Sequence, residues 1–150
     1  ERPDRQILLV PRSDVSRLEQ IIAQKGTWVL NIRSATNVLL GEKIVYAFPE
    51  VRSNVLVAKR GEVLASIKLD SDEIDTTAVR RKLRLLLTST LAEVKRRGSI
   101  SSGLQFDANA INRLGQLLIT RDESIVELES ISQRRIETAD SVNVYIRVKR

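Results

Sequence analysis

The chain has 150 residues, of which 42% are hydrophobic and 29% charged, and its formal net charge is +6. That length and apolar content suit a single domain, 1–150, with a core of its own. Cysteine and histidine are both absent, which excludes disulfides, thiol nucleophiles, imidazole bases and the usual zinc ligands. No apolar run approaches the roughly 18 residues of a membrane-spanning helix.

The chain opens with the apolar run Ile7-Leu8-Leu9-Val10, closed by Pro11. Residues 12–26 then predict a helix capped by Ser13 or Asp14, striped by Val15, Leu18 and Ile22, and ended by Gly26. From Thr27 to Leu69 the hydrophobic period changes to two, which predicts four short antiparallel strands. Within that stretch Lys59-Arg60-Gly61 reads as the turn of a hairpin, with Val63, Ala65, Ile67 and Leu69 on one face. Residues 70–75, DSDEID, lead into a long basic helix with Asp75 or Thr76 as its N-cap. A small-residue loop, Gly98 to Gly103, follows, and then a shorter helix opened by Asp107 and carrying Ile111, Leu114 and Leu118. Two alternating segments, SIVELESI and SVNVYIRVK, close the chain, the second with Val142, Val144, Ile146 and Val148 on one side. Helix, strands, two helices and strands again predict an α+β fold of about six antiparallel strands, with an N-terminal helix and a central pair of helices.

The charge is unevenly placed. Between Arg80 and Arg97 seven basic residues stand against Glu93 alone, so this helix carries the whole excess. On a helical wheel Val79, Leu83, Leu86, Leu87, Leu91 and Val94 form one apolar stripe. Arg80, Arg81 and Arg84 run along its edge with no acid three or four residues away. Like charges four apart cost only a few tenths of a kcal/mol. A solvated helix face and an anion-holding edge are therefore both open at this point. Arg96 and Arg97 lie at the helix C-terminus, where the macrodipole favours cations and where Glu93 is in reach. Arginines outnumber lysines 18 to 7, and the planar guanidinium suits bidentate phosphate or carboxylate contact.

Other sites find less support in the residues. DSDEID supplies oxygen ligands, yet against the EF-hand template Ile74 stands at the fifth position and Asp75, not glycine, at the sixth. No metal or cofactor is expected. Nothing marks out a catalytic set, so the chain is read as a non-enzyme. Aromatic residues make up 3% of the chain, few for the stacking platforms of single-strand binders; nucleic acid is the lesser of the anionic partners considered.

Three segments, GTWVLNIRSATNVLLGEKIVYAF, VLVAKRGEVLASIKL and VRRKLRLLLTSTLAEVKRRG, resemble the C-terminal domain of a cyanobacterial family of membrane-anchored coiled-coil proteins formerly of unknown function, associated with cyclic di-GMP binding. The resemblance covers most of residues 11–150 and rests on the order of segments. It implies a cytoplasmic receptor domain cut from a longer coiled-coil protein with a membrane anchor. It also implies cyclic di-GMP as ligand, a homo-oligomer, and a regulatory protein partner. Such a ligand would draw on Arg80, Arg81, Arg84, Arg96, Arg97 and Arg12 for its phosphates and guanine faces. Asp14, beside Arg12 and Arg17, would accept from a guanine edge, and Asp122 beside Arg121 is the alternative carboxylate. Arg80 and Arg84 satisfy the R-x-x-x-R half of the PilZ receptor motif, but no D/N-x-S-x-x-G follows, so the arrangement would differ from PilZ. The alternative reading is a structural self-association module with no small ligand.

Overall fold

The computed structural model describes residues 6–39, 41–122 and 124–149. The chain forms two compact units, Glu1–Asn54 and Val55–Arg150.

The first unit holds β1 (Ile7–Leu9), α1 (Arg12–Ile22), β2 (Trp28–Ser34) and β3 (Ile44–Ser53). Its sheet runs β1-β3-β2, with β2 antiparallel and β1 parallel to β3. α1 begins behind Pro11, which stands at the N-cap position with no side-chain cap bond, and not behind Ser13 or Asp14. Proline's fixed φ near −65° is already suited to a helix entry. The helix also stops earlier than expected, at Ile22, with Ala23 as its C-cap. Among the described residues of this unit, only Ala47 and Pro49 are buried.

The second unit holds β4 (Leu56–Ala58), β5 (Val63–Leu69), α2 (Thr76–Arg96), β6 (Leu104–Gln105), α3 (Ala108–Ile119), β7 (Val126–Ser132), β8 (Ile136–Glu137) and β9 (Val142–Val148). A four-stranded sheet runs β5-β7-β9-β6, and a two-stranded one pairs β4 with β8. The fold is α+β as expected. The nine strands among the described residues exceed the six foreseen by β1, β6 and β8, each only two or three residues long. Segments that short carry too little periodicity to register in the sequence.

The hairpin expected at Lys59-Arg60-Gly61 is corrected. The turn is present, with Glu62 N–H donating to Lys59 C=O and Gly61 at φ +80°. Its two strands part company, however: β4 joins β8, while β5 joins β7. The turn instead docks on the end of β7, since Gly61 N–H donates to Ser132 C=O and Ser132 N–H to Glu62 C=O. An irregularity between Val63 and Ala65 then breaks the expected common face. Val63 is 39% exposed while Leu64 turns into the core, and Ala65, Ile67 and Leu69 keep their shared side.

Two packed clusters make the core. Leu69, Val79, Leu83, Leu86, Leu118 and Leu128 form one, and Val57, Ala58, Leu64, Val94, Ile136, Val142 and Val144 the other. α2 contributes to both, and its expected stripe is the stripe it buries. Thr90, wholly buried on the same face, satisfies its hydroxyl by donating to Leu86 C=O at 2.7 Å. Asp75 and Asp107 cap α2 and α3 as foreseen, accepting from Ala78 N–H and from the N–H groups of Asn109 and Ala110. Gly98, at φ +110°, turns the chain out of α2 where a Cβ would stand 2.9 Å from Val55 Cγ2. Only glycine tolerates both conditions.

Arg121 ties the end of α3 to the loop before α2. Its guanidinium donates to the carbonyls of Asp70, Glu73, Leu118 and Ser124, at 2.6–3.1 Å. Hydrogen bonds from a charged donor contribute about 1.5–3 kcal/mol each when shielded, and less when exposed. Lysine cannot span that fork. Arg121→Lys is expected to lower unfolding stability by about 1–2 kcal/mol, read as an earlier urea midpoint with an unchanged slope.

Candidate functional site

The basic residues of α2 separate into three groups by what lies around them. At the C-terminal end Arg96 and Arg97 are claimed by Glu93. Arg96 holds it with Nε and Nη2 at 2.9 and 2.7 Å, and Arg97 Nε donates to the same carboxylate at 2.8 Å. Arg97 also reaches Glu62 at 2.7 Å and Val57 C=O at 3.3 Å. The Glu93 carboxyl is drawn down from its ordinary 4.5 to about 2, first by Arg96 and then by Arg97. Glu62 is lowered as well, first by Lys59 N–H and then by Arg97.

A carboxyl held low in the folded state contributes stability that is whole above its unfolded value and is lost as pH falls through the folded one. Glu93→Gln is therefore expected to melt earlier than the native chain near neutral pH. The gap should close progressively between pH 4.5 and about 2, a trend that melts recorded by circular dichroism across that range would follow.

At the N-terminal end Glu73 claims the next pair. Arg81 Nη2 lies 3.4 Å and Lys82 Nζ 3.2 Å from its carboxylate, and Asp70 N–H donates to it at 2.9 Å. The Asp70 amide does most to hold the Glu73 carboxyl low, with Lys82 and Arg81 adding to it. Eight residues of sequence separate Glu73 from Arg81, which is why no helical spacing foretold the pair. DSDEID thus acts as cap and counter-charge, and among the described residues no acidic group is arranged to hold a metal ion.

Lys95, in the last turn, has no ion pair among the described residues and does not line the groove between α2 and α3, which leaves Arg80 and Arg84. Both are exposed, and neither has an ion pair among the described residues. One helical turn, about 6 Å, separates them along the axis. They line a groove of about 560 Å³ between α2 and α3 together with Thr76, Asn112 and Gln116. Val79, Leu83, Leu87, Ile111 and Ile119 supply its apolar walls, and Gly115 leaves room opposite Leu83. The groove therefore offers two forked cations on one wall, two side-chain amides on the other, and an apolar floor between them. Sequence reasoning singled out the cations and missed Asn112 and Gln116. Their signal was an i,i+4 pair of amides on the helix that packs against the arginine edge.

Glycine inside a helix costs roughly 0.5–1 kcal/mol relative to alanine. At position 115 a Cβ would meet Leu83 Cδ1 at an ordinary 3.7 Å, so a methyl group fits there without a clash. Gly115→Ala is expected to raise stability by roughly 0.5–1 kcal/mol, measured by urea or thermal melts.

The other candidate residues stand elsewhere. Arg12 and Asp14 belong to α1 of the first unit and are not among the residues that line the groove. Arg121 spends its guanidinium on backbone carbonyls, so it does not present Asp122 to a ligand as an arginine–carboxylate pair. The loop hydroxyls after α2 serve the loop itself: Ser99 accepts from Ser101 N–H, and Ser101 donates to Gly103 C=O.

Fold and groove together describe an α+β protein with an arginine-edged cleft between two helices. No helix among the described residues is long and apolar enough to cross a membrane. The chain is similar to the uncharacterized protein alr4393 of Nostoc sp., with 31% identity over 131 residues, 85% of this chain and 26% of the relative. The chain thus spans about a quarter of the length of that curated relative. No family model matches the chain, and no solved structure matches it.

Proposed function

We propose that the second unit is a non-catalytic receptor whose α2–α3 groove binds a phosphorylated nucleotide, with cyclic di-GMP as the ligand to try first. The observation that carries this reading is the pair Arg80 and Arg84, left without ion pairs among the described residues, on the wall of a groove of about 560 Å³. Ligand sites commonly occupy about 300–1,000 Å³, mostly apolar with a few placed polar groups. The guanidinium forks would hold phosphate oxygens. The amides of Asn112 and Gln116, which both donate and accept, would read base edges. Leu83, Leu87 and Ile111 would lie under the base or sugar. The resemblance to a family associated with cyclic di-GMP adds the choice of dinucleotide, and the ligand would act by favouring the arrangement of the unit or its assembly that it binds best.

The test is isothermal titration with cyclic di-GMP in moderate salt, beside mono- and dinucleotides of other bases. Binding is expected to be lost in Arg84→Glu and in Gly115→Leu, whose side chain fills the groove, and retained in Arg96→Ala, whose guanidinium is already held by Glu93. Silence across the panel at high micromolar ligand would overturn the reading. So would binding that Arg96→Ala abolishes and Arg84→Glu spares.

A further inference from the structure

The first unit leaves one side of its sheet open. In the order β1-β3-β2, strand β2 has β3 beside it and, among the described residues, no strand on its other side. Edge strands are usually blunted by proline, lysine or a bulge. β2, with sequence WVLNIRS, has neither proline nor lysine, and its register with β3 runs unbroken from Trp28↔Ser53 to Ser34↔Ala47.

The pairing tells which backbone groups face the open side. Ala35 N–H donates to Tyr46 C=O, and Asn54 N–H donates to Thr27 C=O. Both bonds continue the register of Asn31↔Glu50. Odd-numbered residues of β2 therefore bond β3, and the N–H and C=O groups of Trp28, Leu30, Ile32 and Ser34 point away from it. Leu30 and Ile32 are also 51% and 49% exposed.

We propose that β2 pairs antiparallel with β2 of a second copy of this chain, about a two-fold axis through Asn31. In that register Trp28 faces Ser34 of the second copy, and Leu30 faces its Ile32. The outward backbone groups of residues 28, 30, 32 and 34 then meet those of 34, 32, 30 and 28, so the whole ladder is satisfied. A shift by one residue sets outward groups against inward ones and loses it. Of the registers that remain, this one alone pairs the strand over its full length, and the charge pattern disfavours another. Arg33 is the one charged residue of the strand, and here it faces Val29 of the second copy. A ladder centred on Arg33 would oppose two like charges, which is destabilising. The half-exposed Leu30 and Ile32 become a cross-strand pair on both sides of the axis. The contact is isologous and closes at two copies, and it turns two three-stranded sheets into one of six strands.

Because the chain contains no cysteine, Asn31→Cys gives a direct test. A non-hydrogen-bonded antiparallel pair brings Cα atoms to about 4.5 Å, within disulfide reach. Mild oxidation of the 150-residue variant is expected to yield covalent dimer, whereas Val29→Cys, which faces Arg33, stays uncrosslinked. Sedimentation velocity supplies the second measurement. The native chain should run as a dimer. Ile32→Pro removes an outward N–H without touching the ladder to β3 and should run as a folded monomer. Leu30→Lys covers the case in which proline disturbs the strand. A native monomer at the highest soluble concentration overturns the proposal. So does a dimer in which Asn31→Cys fails to cross-link, or one that Tyr46→Lys breaks while Ile32→Pro and Leu30→Lys leave it whole.

Discussion

The structure of the second unit depends on burying one side of α2. This helix of 21 residues is about 30 Å long, and both core clusters include residues from its apolar stripe. Val79, Leu83 and Leu86 face α3 and the ends of β5 and β7, while Val94 faces β4, β8 and β9. At roughly 25 cal/mol per Å² of apolar surface, a stripe of this kind outweighs any surface ion pair the helix makes. The caps at Asp75 and Asp107, the glycine exit at Gly98 and the Arg121 clamp serve to hold α2 and α3 in register with the sheet.

Burying that stripe also determines where the charges go. Once Val79 and Leu83 point inward, Arg80 and Arg84 must rise along the side facing α3, and Arg81 and Lys82 turn toward the loop that carries Glu73. The carboxylates are then shared out by reach. Glu93 takes the two arginines one turn away, with help from Glu62, and Glu73 takes Arg81 and Lys82. Two guanidiniums are left over beside an apolar groove. A charge excess that composition shows only as +6 thus becomes two specific side chains at a specific place.

The two units differ in how they are held. The second buries leucine, isoleucine and valine from seven of its eight elements, whereas the first buries only Ala47 and Pro49 among its described residues. Ile44, Tyr46 and Phe48 stay 47–62% exposed on β3, and Leu30 and Ile32 are half exposed on β2. A three-stranded sheet with one short helix has little interior, so its stability leans on whatever covers these residues. That same shortage of cover makes an open strand edge with a self-complementary pattern a natural place for a second copy.

Much of this was legible in the residues. Periodicities of 3.6 and two located the three helices and the longer strands, and Asp75, Asp107 and Gly98 declared their capping roles through side-chain and backbone chemistry that acts within a few residues. The arginine edge was legible too, because a helical wheel needs only the local spacing of Val79, Leu83 and Leu86. Tertiary structure alone decided the rest. It sent β4 and β5 into different sheets, set Glu73 beside Arg81 and Lys82, spent Arg121 on four carbonyls, and brought Asn112 and Gln116 across from Arg80 and Arg84. Each of these is a contact between segments whose separation in the chain carries no local preference. Only the packing of α2 and α3 against the sheet could choose them.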